Sequence, residues 1–206
     1  MLRFFQVFVF IIFGGLASHA QNINVSPEIV LGNRSAAYQH FVGYQFDASW
    51  SINNVVLFDS EYTHDTNNIF FIRNMLSYNL NSHFKVNAAF GIKNPGTFTS
   101  LTTQYQYTKT QFKLTYAIGS TYQNGFTLEQ NLILNYTPTL SNAFQGYINL
   151  FAVVNTNFKE LDRGIQQLRI GLKKAQLIAG IAVNLDQFTK GKNSLENFGV
   201  FIKYNF

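Results

Sequence analysis

Apolar and polar residues alternate through most of this chain with a period of two, as expected of strands whose faces meet unlike surroundings. The clearest stretch is 84–93, where Phe84, Val86, Ala88, Phe90 and Ile92 oppose Lys85, Asn87, Ala89, Gly91 and Lys93. The same alternation marks 35–47, 52–63, 69–80, 98–107, 112–122, 126–136, 163–172, 175–186 and 196–206. Asn74 and Gln130 fall on otherwise apolar faces. Segment 144–154 alternates poorly, and 21–33 is interrupted by Pro27, which has no N–H to give to a ladder.

Polar and turn-forming stretches separate these segments. Asn94-Pro95-Gly96 and Gln123-Asn124-Gly125 are explicit turns, Asn-Gly being a strong hairpin signal. The pattern predicts an all-β, antiparallel up-and-down barrel of about twelve strands, each of roughly ten residues, long enough to cross a bilayer at a tilt. Ten strands, with the Pro27 segment outside the sheet, is the alternative. A soluble β-sandwich or lipocalin-like barrel would alternate in the same way but would turn its apolar face inward.

Composition changes that balance. Charged residues make up 12% of the chain, about half the usual share, while Phe (22) and Tyr (11) are abundant. Such a chain suits an exterior that meets lipid. The net charge of +5 is spread without a basic block, so no nucleic-acid partner is expected. The absence of cysteine excludes a disulfide scaffold, a thiolate metal site and a Cys nucleophile. Met1-Leu2-Arg3, the apolar run 4–16, and Ser18 and Ala20 before Gln21 predict a signal peptide cleaved after Ala20. The mature chain, 21–206, is then one exported domain with no apolar run long enough for a helical span.

The last segment puts Phe198, Val200, Ile202, Tyr204 and Phe206 on one face and ends on an aromatic residue. It resembles the closing strand of Gram-negative outer-membrane β-barrels. That resemblance implies location in the cell outer membrane, contact with its lipid, and recognition of Tyr204 and Phe206 by the barrel-assembly machinery. With Phe206 at the periplasm, the connections 47–51, 81–83, 108–110, 137–142 and 173–174 become periplasmic turns. Those at 32–34, 64–68, 94–97, 123–125, 155–162 and 187–194 become external, and the longest two fall outside, as outer-membrane barrels prefer. Tyr78, Tyr107, Phe112, Tyr136, Phe144 and Tyr204 form one aromatic girdle; Tyr38, Tyr62, Phe70, Phe90, Tyr122 and Phe126 form the other.

Function then has to come from the lumen. The pattern turns Asp59, Glu61, Arg73, Lys85, Lys93, Lys113, Glu129, Arg169 and Lys203 inward, with Asp59 and Arg73 at similar heights on neighbouring strands. These charges either pair and pack the barrel or line a narrow, mildly cation-repelling water path. Ala89, Gly91, Ala117, Gly119, Gly171, Gly180 and Gly199 either leave a channel or make room for Lys and Arg stems. The His-x-Ser spacing of outer-membrane phospholipases and lipid A deacylases is missing: Val42, Thr66 and Lys85 stand two residues after His40, His64 and His83. His64, with Asp65 and Glu61, is the one candidate for hydrolysis, and no metal-ligand set or cofactor motif is present. The expectation is a passive channel for ions or small solutes, or else a closed barrel with a structural or partner-binding role.

Overall fold

The computed structural model describes residues 23–157, 159–188 and 193–206; the signal-peptide segment lies outside them. The strands are β1 (Ile23–Gly32), β2 (Ser35–Gln45), β3 (Trp50–Glu61), β4 (Ile69–Asn79), β5 (Phe84–Lys93) and β6 (Gly96–Lys109). They continue as β7 (Phe112–Tyr122), β8 (Phe126–Tyr136), β9 (Gln145–Thr156), β10 (Leu161–Lys174), β11 (Leu177–Phe188) and β12 (Asn193–Tyr204). Each pairs antiparallel with the next, and β1 closes on β12 from Glu28↔Lys203 to Gly32↔Gly199. The result is a closed twelve-strand barrel with no free edge. Closure lets every strand satisfy its backbone polar groups within the sheet, the condition for crossing lipid with strands.

The ten-strand alternative is therefore wrong, and the reason lies at Pro27. Val25 accepts a bond from Phe206 N–H, and Asn33 donates to Phe198. By alternation the donor that Pro27 lacks also faces β12. The register ladder on that side runs from Glu28, with the one Phe206–Val25 bond beyond it, whereas the β2 side pairs continuously from Ile23 to Leu31. The proline sits near the terminal-rim end of the seam, where its missing N–H costs one bond and leaves the β2 ladder intact.

The soluble alternatives fail on direction. Leu101 (60% exposed), Phe90 (64%) and Val200 (57%) point outward, while Arg169 (1%), Glu28 (2%) and Asn197 (0%) point inward. Aromatic side chains cluster at both rims: Trp50 lies 4.8 Å from Tyr78 and Tyr204 lies 4.6 Å from Phe206 at the rim nearest the termini. Phe58 pairs with Phe70, and Tyr122 with Phe126, at the other rim. An apolar band between two such girdles is stable against lipid rather than water.

The two misplaced polar residues have local partners on that outer face. His40 bonds Asn54, and Asn54 donates to Asn74 at 2.9 Å. Tyr38 hydroxyl meets the other nitrogen of His40, and Tyr116 donates to Gln130 at 2.8 Å. Cross-strand bonding offsets most of the cost of polar atoms in hydrocarbon. Segment 144–154 alternates poorly because the inner face of β9 is itself largely apolar, carrying Tyr147, Phe151 and Val153.

Connections depart from expectation at several strand ends; Thr108 and Lys109, for instance, belong to β6. Lys173 and Lys174 belong to β10, and the turn falls on Ala175-Gln176, with Ala175 at φ 51°. The longest connection is 137–144, at the terminal rim, not the far one. Strands β9 to β12 run on through residues assigned to loops, because backbone pairing does not require an apolar side chain.

Candidate functional site

The interior is built in two unlike parts. Around Arg169, among inward residues of β1, β2 and β9 to β12, it is packed. Arg169 donates through Nε to Glu28 at 2.7 Å, and through Nη1 to Asn184 at 2.8 Å and to the Leu168 carbonyl at 3.1 Å. Gln39 donates to the same Glu28 oxygen at 2.7 Å. The guanidinium lies over the Phe201 ring at 5.8 Å, and Val30, Ala37, Tyr147, Ile178 and Ala182 complete a small apolar core with Phe201. A charge buried this deeply is tolerated only because its donors find acceptors.

Beside it lies a cavity of about 210 Å³, lined by residues of β2 to β10. Its lining runs from Ile69, Lys93 and Arg163, at or near the far ends of their strands, to Asn87 and Thr115 near the terminal rim. One ion pair crosses it. Arg73 Nη2, on β4, donates to both carboxylate oxygens of Glu129 on β8, at 2.8 and 2.7 Å, and Thr121 donates to Glu129 at 2.9 Å. On a circular barrel with strands ~4.8 Å apart and tilted ~40°, positions four strands apart stand roughly 20 Å apart. Side chains of Arg and Glu joined by one hydrogen bond do not reach that far, so the lumen is narrowed along this line. Phe71 and Phe98 flank the guanidinium at 5.4 and 5.3 Å.

Two further pairs stand toward the far rim. Arg34, in the β1–β2 turn, binds Glu61 and reaches Asp59 at 3.4 Å. The fully buried Asn197 accepts from the backbone of Arg34 and Ser35, fixing that turn against β12. Arg163 makes a bidentate pair with Asp186 at 3.0 and 2.7 Å.

All nine charges expected in the lumen face it: Asp59, Glu61, Arg73, Lys85, Lys93, Lys113, Glu129, Arg169 and Lys203. Asp59 and Arg73 do not stand level, however. Asp59 is opposite Ile69 and Arg73 is opposite Val55, and each takes a different partner. Sequence reasoning missed Glu28, hidden in the Pro27 segment, Arg34 in its turn, Arg163 and Asp186 as partners, and Lys173. Among the described residues each of these inward carboxylates, Glu28, Asp59, Glu61, Glu129 and Asp186, is held by an arginine. The inward lysines are in no ion pair there.

Four of those lysines stand near one rim. Lys85, Lys113, Lys173 and Lys203 each stand one residue inside the terminal-rim end of β5, β7, β10 and β12. A signal was available in the sequence: Phe84-Lys85, Phe112-Lys113 and Lys203-Tyr204 set a girdle aromatic beside an inward lysine. Ammonium groups outside any ion pair concentrate anions at the rim where they stand.

Of the small residues, Ala117 lines the cavity, while the glycines answer neither earlier expectation. A Cβ on Gly171 would meet Ala179 O at 2.2 Å, and one on Gly180 would meet Ile170 O at 2.1 Å. These glycines let neighbouring backbones approach and bend the wall. Phe98 fills the space over Gly91. His64 precedes a short 3₁₀ turn, Asp65–Asn67, outside the strands, and Glu61 is engaged by Arg34.

A closed twelve-strand barrel with an apolar exterior and a charged lumen has the fold of the outer-membrane β-barrels. Among solved structures the chain is similar to KdgM porin, with a TM-score of 0.54 at 11% identity, over 89% of this chain and 99% of that one. KdgM porin in complex with disordered oligogalacturonate gives 0.53 at 11%, over 89% and 99%. NanC porin gives 0.53 at 10%, over 89% and 98%. At such identity the likeness is one of fold. No protein-family model and no curated protein matches the chain.

Proposed function

We propose that the mature chain resides in the outer membrane as a narrow passive diffusion path that favours small anionic solutes. The observation that carries this reading is the lumen's charge. Among the described residues the five inward carboxylates Glu28, Asp59, Glu61, Glu129 and Asp186 each have an arginine, so the excess charge belongs to the lysines, four of them near one rim. The cavity supplies space, and the Arg73–Glu129 pair is its constriction. KdgM holding an oligogalacturonate, an acidic saccharide, is a parallel on the same fold. Tyr204 and Phe206, paired and outward at the seam, fit the role of a signal for the barrel-assembly machinery.

The test is the reversal potential of the refolded protein in planar bilayers under a KCl gradient. Anion-selective steps support the reading; cation-selective steps contradict it. The second reading, a closed structural barrel, draws support from the packing around Arg169, which fills part of the interior. Hydrolysis at His64 has less behind it, since Glu61 is committed to Arg34.

A further inference from the structure

The cavity wall is of a kind that a path for simple ions does not require. Most of it is carbon, contributed toward the far rim by Ile69, Phe71, Phe151, Val153 and Ile165. Its cations are not equivalent. Arg73 is held by Glu129 and Arg163 by Asp186. Lys93, in the same wall, is in no ion pair among the described residues, and its ammonium lies 5.2 Å from the Phe98 ring. A half-buried ammonium beside an apolar surface is best satisfied by a ligand bringing one negative charge and an apolar body.

We propose that this cavity is a binding site for small amphipathic monocarboxylates, aryl or medium-chain alkyl, with the carboxylate on Lys93 Nζ and the apolar body against Phe71 and Phe151. A polyanion finds no second unpaired cation in this wall, and a neutral hydrocarbon leaves Lys93 unmatched. The cavity of about 210 Å³ suits a single ring with a short side chain. The proposal rests on the channel reading, of which it names the solute class.

Binding is measured apart from conduction, by fluorine NMR of 4-fluorophenylacetate with the barrel in lipid nanodiscs, against empty nanodiscs. Saturable broadening, displaced by phenylacetate but not by equal acetate, is the expected result. Lys93→Gln weakens it at least about tenfold, the loss of one charge-assisted bond. Lys93→Arg retains it, and the outward Lys109→Gln leaves it unchanged. Heat-modifiable gel migration establishes that each variant is folded. No saturable binding, equal displacement by acetate, or an unchanged Lys93→Gln overturns the proposal. Saturable binding by a barrel that does not conduct keeps the site and removes the channel; conduction without binding does the reverse.

Discussion

Replacing Arg169 by alanine distinguishes a packed part of the lumen from a wet one. The side chain is 1% exposed and its partner Glu28 is 2% exposed. The substitution removes the 2.7 Å ion pair and the bonds to Asn184 and Leu168, leaving Glu28 with the Gln39 amide as its one hydrogen-bond donor among the described residues. Breaking a pair so buried costs about 3–5 kcal/mol, whereas a water-screened pair is worth about 1 kcal/mol or less. The assay is reversible denaturant unfolding from phospholipid vesicles, followed by the chain's one tryptophan, Trp50. Glu28→Gln and the double variant complete a cycle, and a coupling of about 2 kcal/mol or more is expected. A loss below about 1 kcal/mol with additive effects would refute the claim that this part is dry.

Other outcomes follow from the same geometry. Arg73→Ala removes the bar across the cavity and should raise single-channel conductance, while Glu129→Gln should do so less, because a neutral amide still accepts from Arg73; unchanged conductance in both would place the constriction elsewhere. Converting Lys85 and Lys113 to Glu should move the reversal potential toward cation selectivity, with a larger effect at low salt, where the Debye length is about 30 Å at 0.01 M. Gly180→Val should impair folding, since its Cβ would meet the Ile170 carbonyl; refolding yield on heat-modifiable gels measures this. Phe206→Asp puts a charge on an outward residue that is 74% exposed and should slow assembly in vesicles.

Strand number and the inward sense of the nine charges named from the pattern were legible in the sequence, because both follow from a local period of two. Lys85 can only point away from Phe84 and Val86, wherever the strand lies. Partners were not legible. Glu28 and Arg169 are 141 residues apart, and Arg73 meets Glu129 across four strands, a contact set by the barrel's cross-section. Adjacency in the sheet suggested Asp59 for Arg73, but register placed them at different heights. The turn after β10 was misassigned because Ala175 is not a residue type that marks a left-handed position, whereas Lys173-Lys174 looked polar enough to be a loop. The longest connection was expected at the far rim because polar residues at the ends of β9 to β12 hid the continuation of the ladder.

Planar-bilayer conductance of the refolded chain 21–206 tests the central claim most directly. The account predicts reproducible anion-selective steps that grow when Arg73 becomes alanine. Silence from a barrel that heat-modifiable migration shows to be folded would contradict it, and would leave a packed barrel whose charges serve only to hold it together.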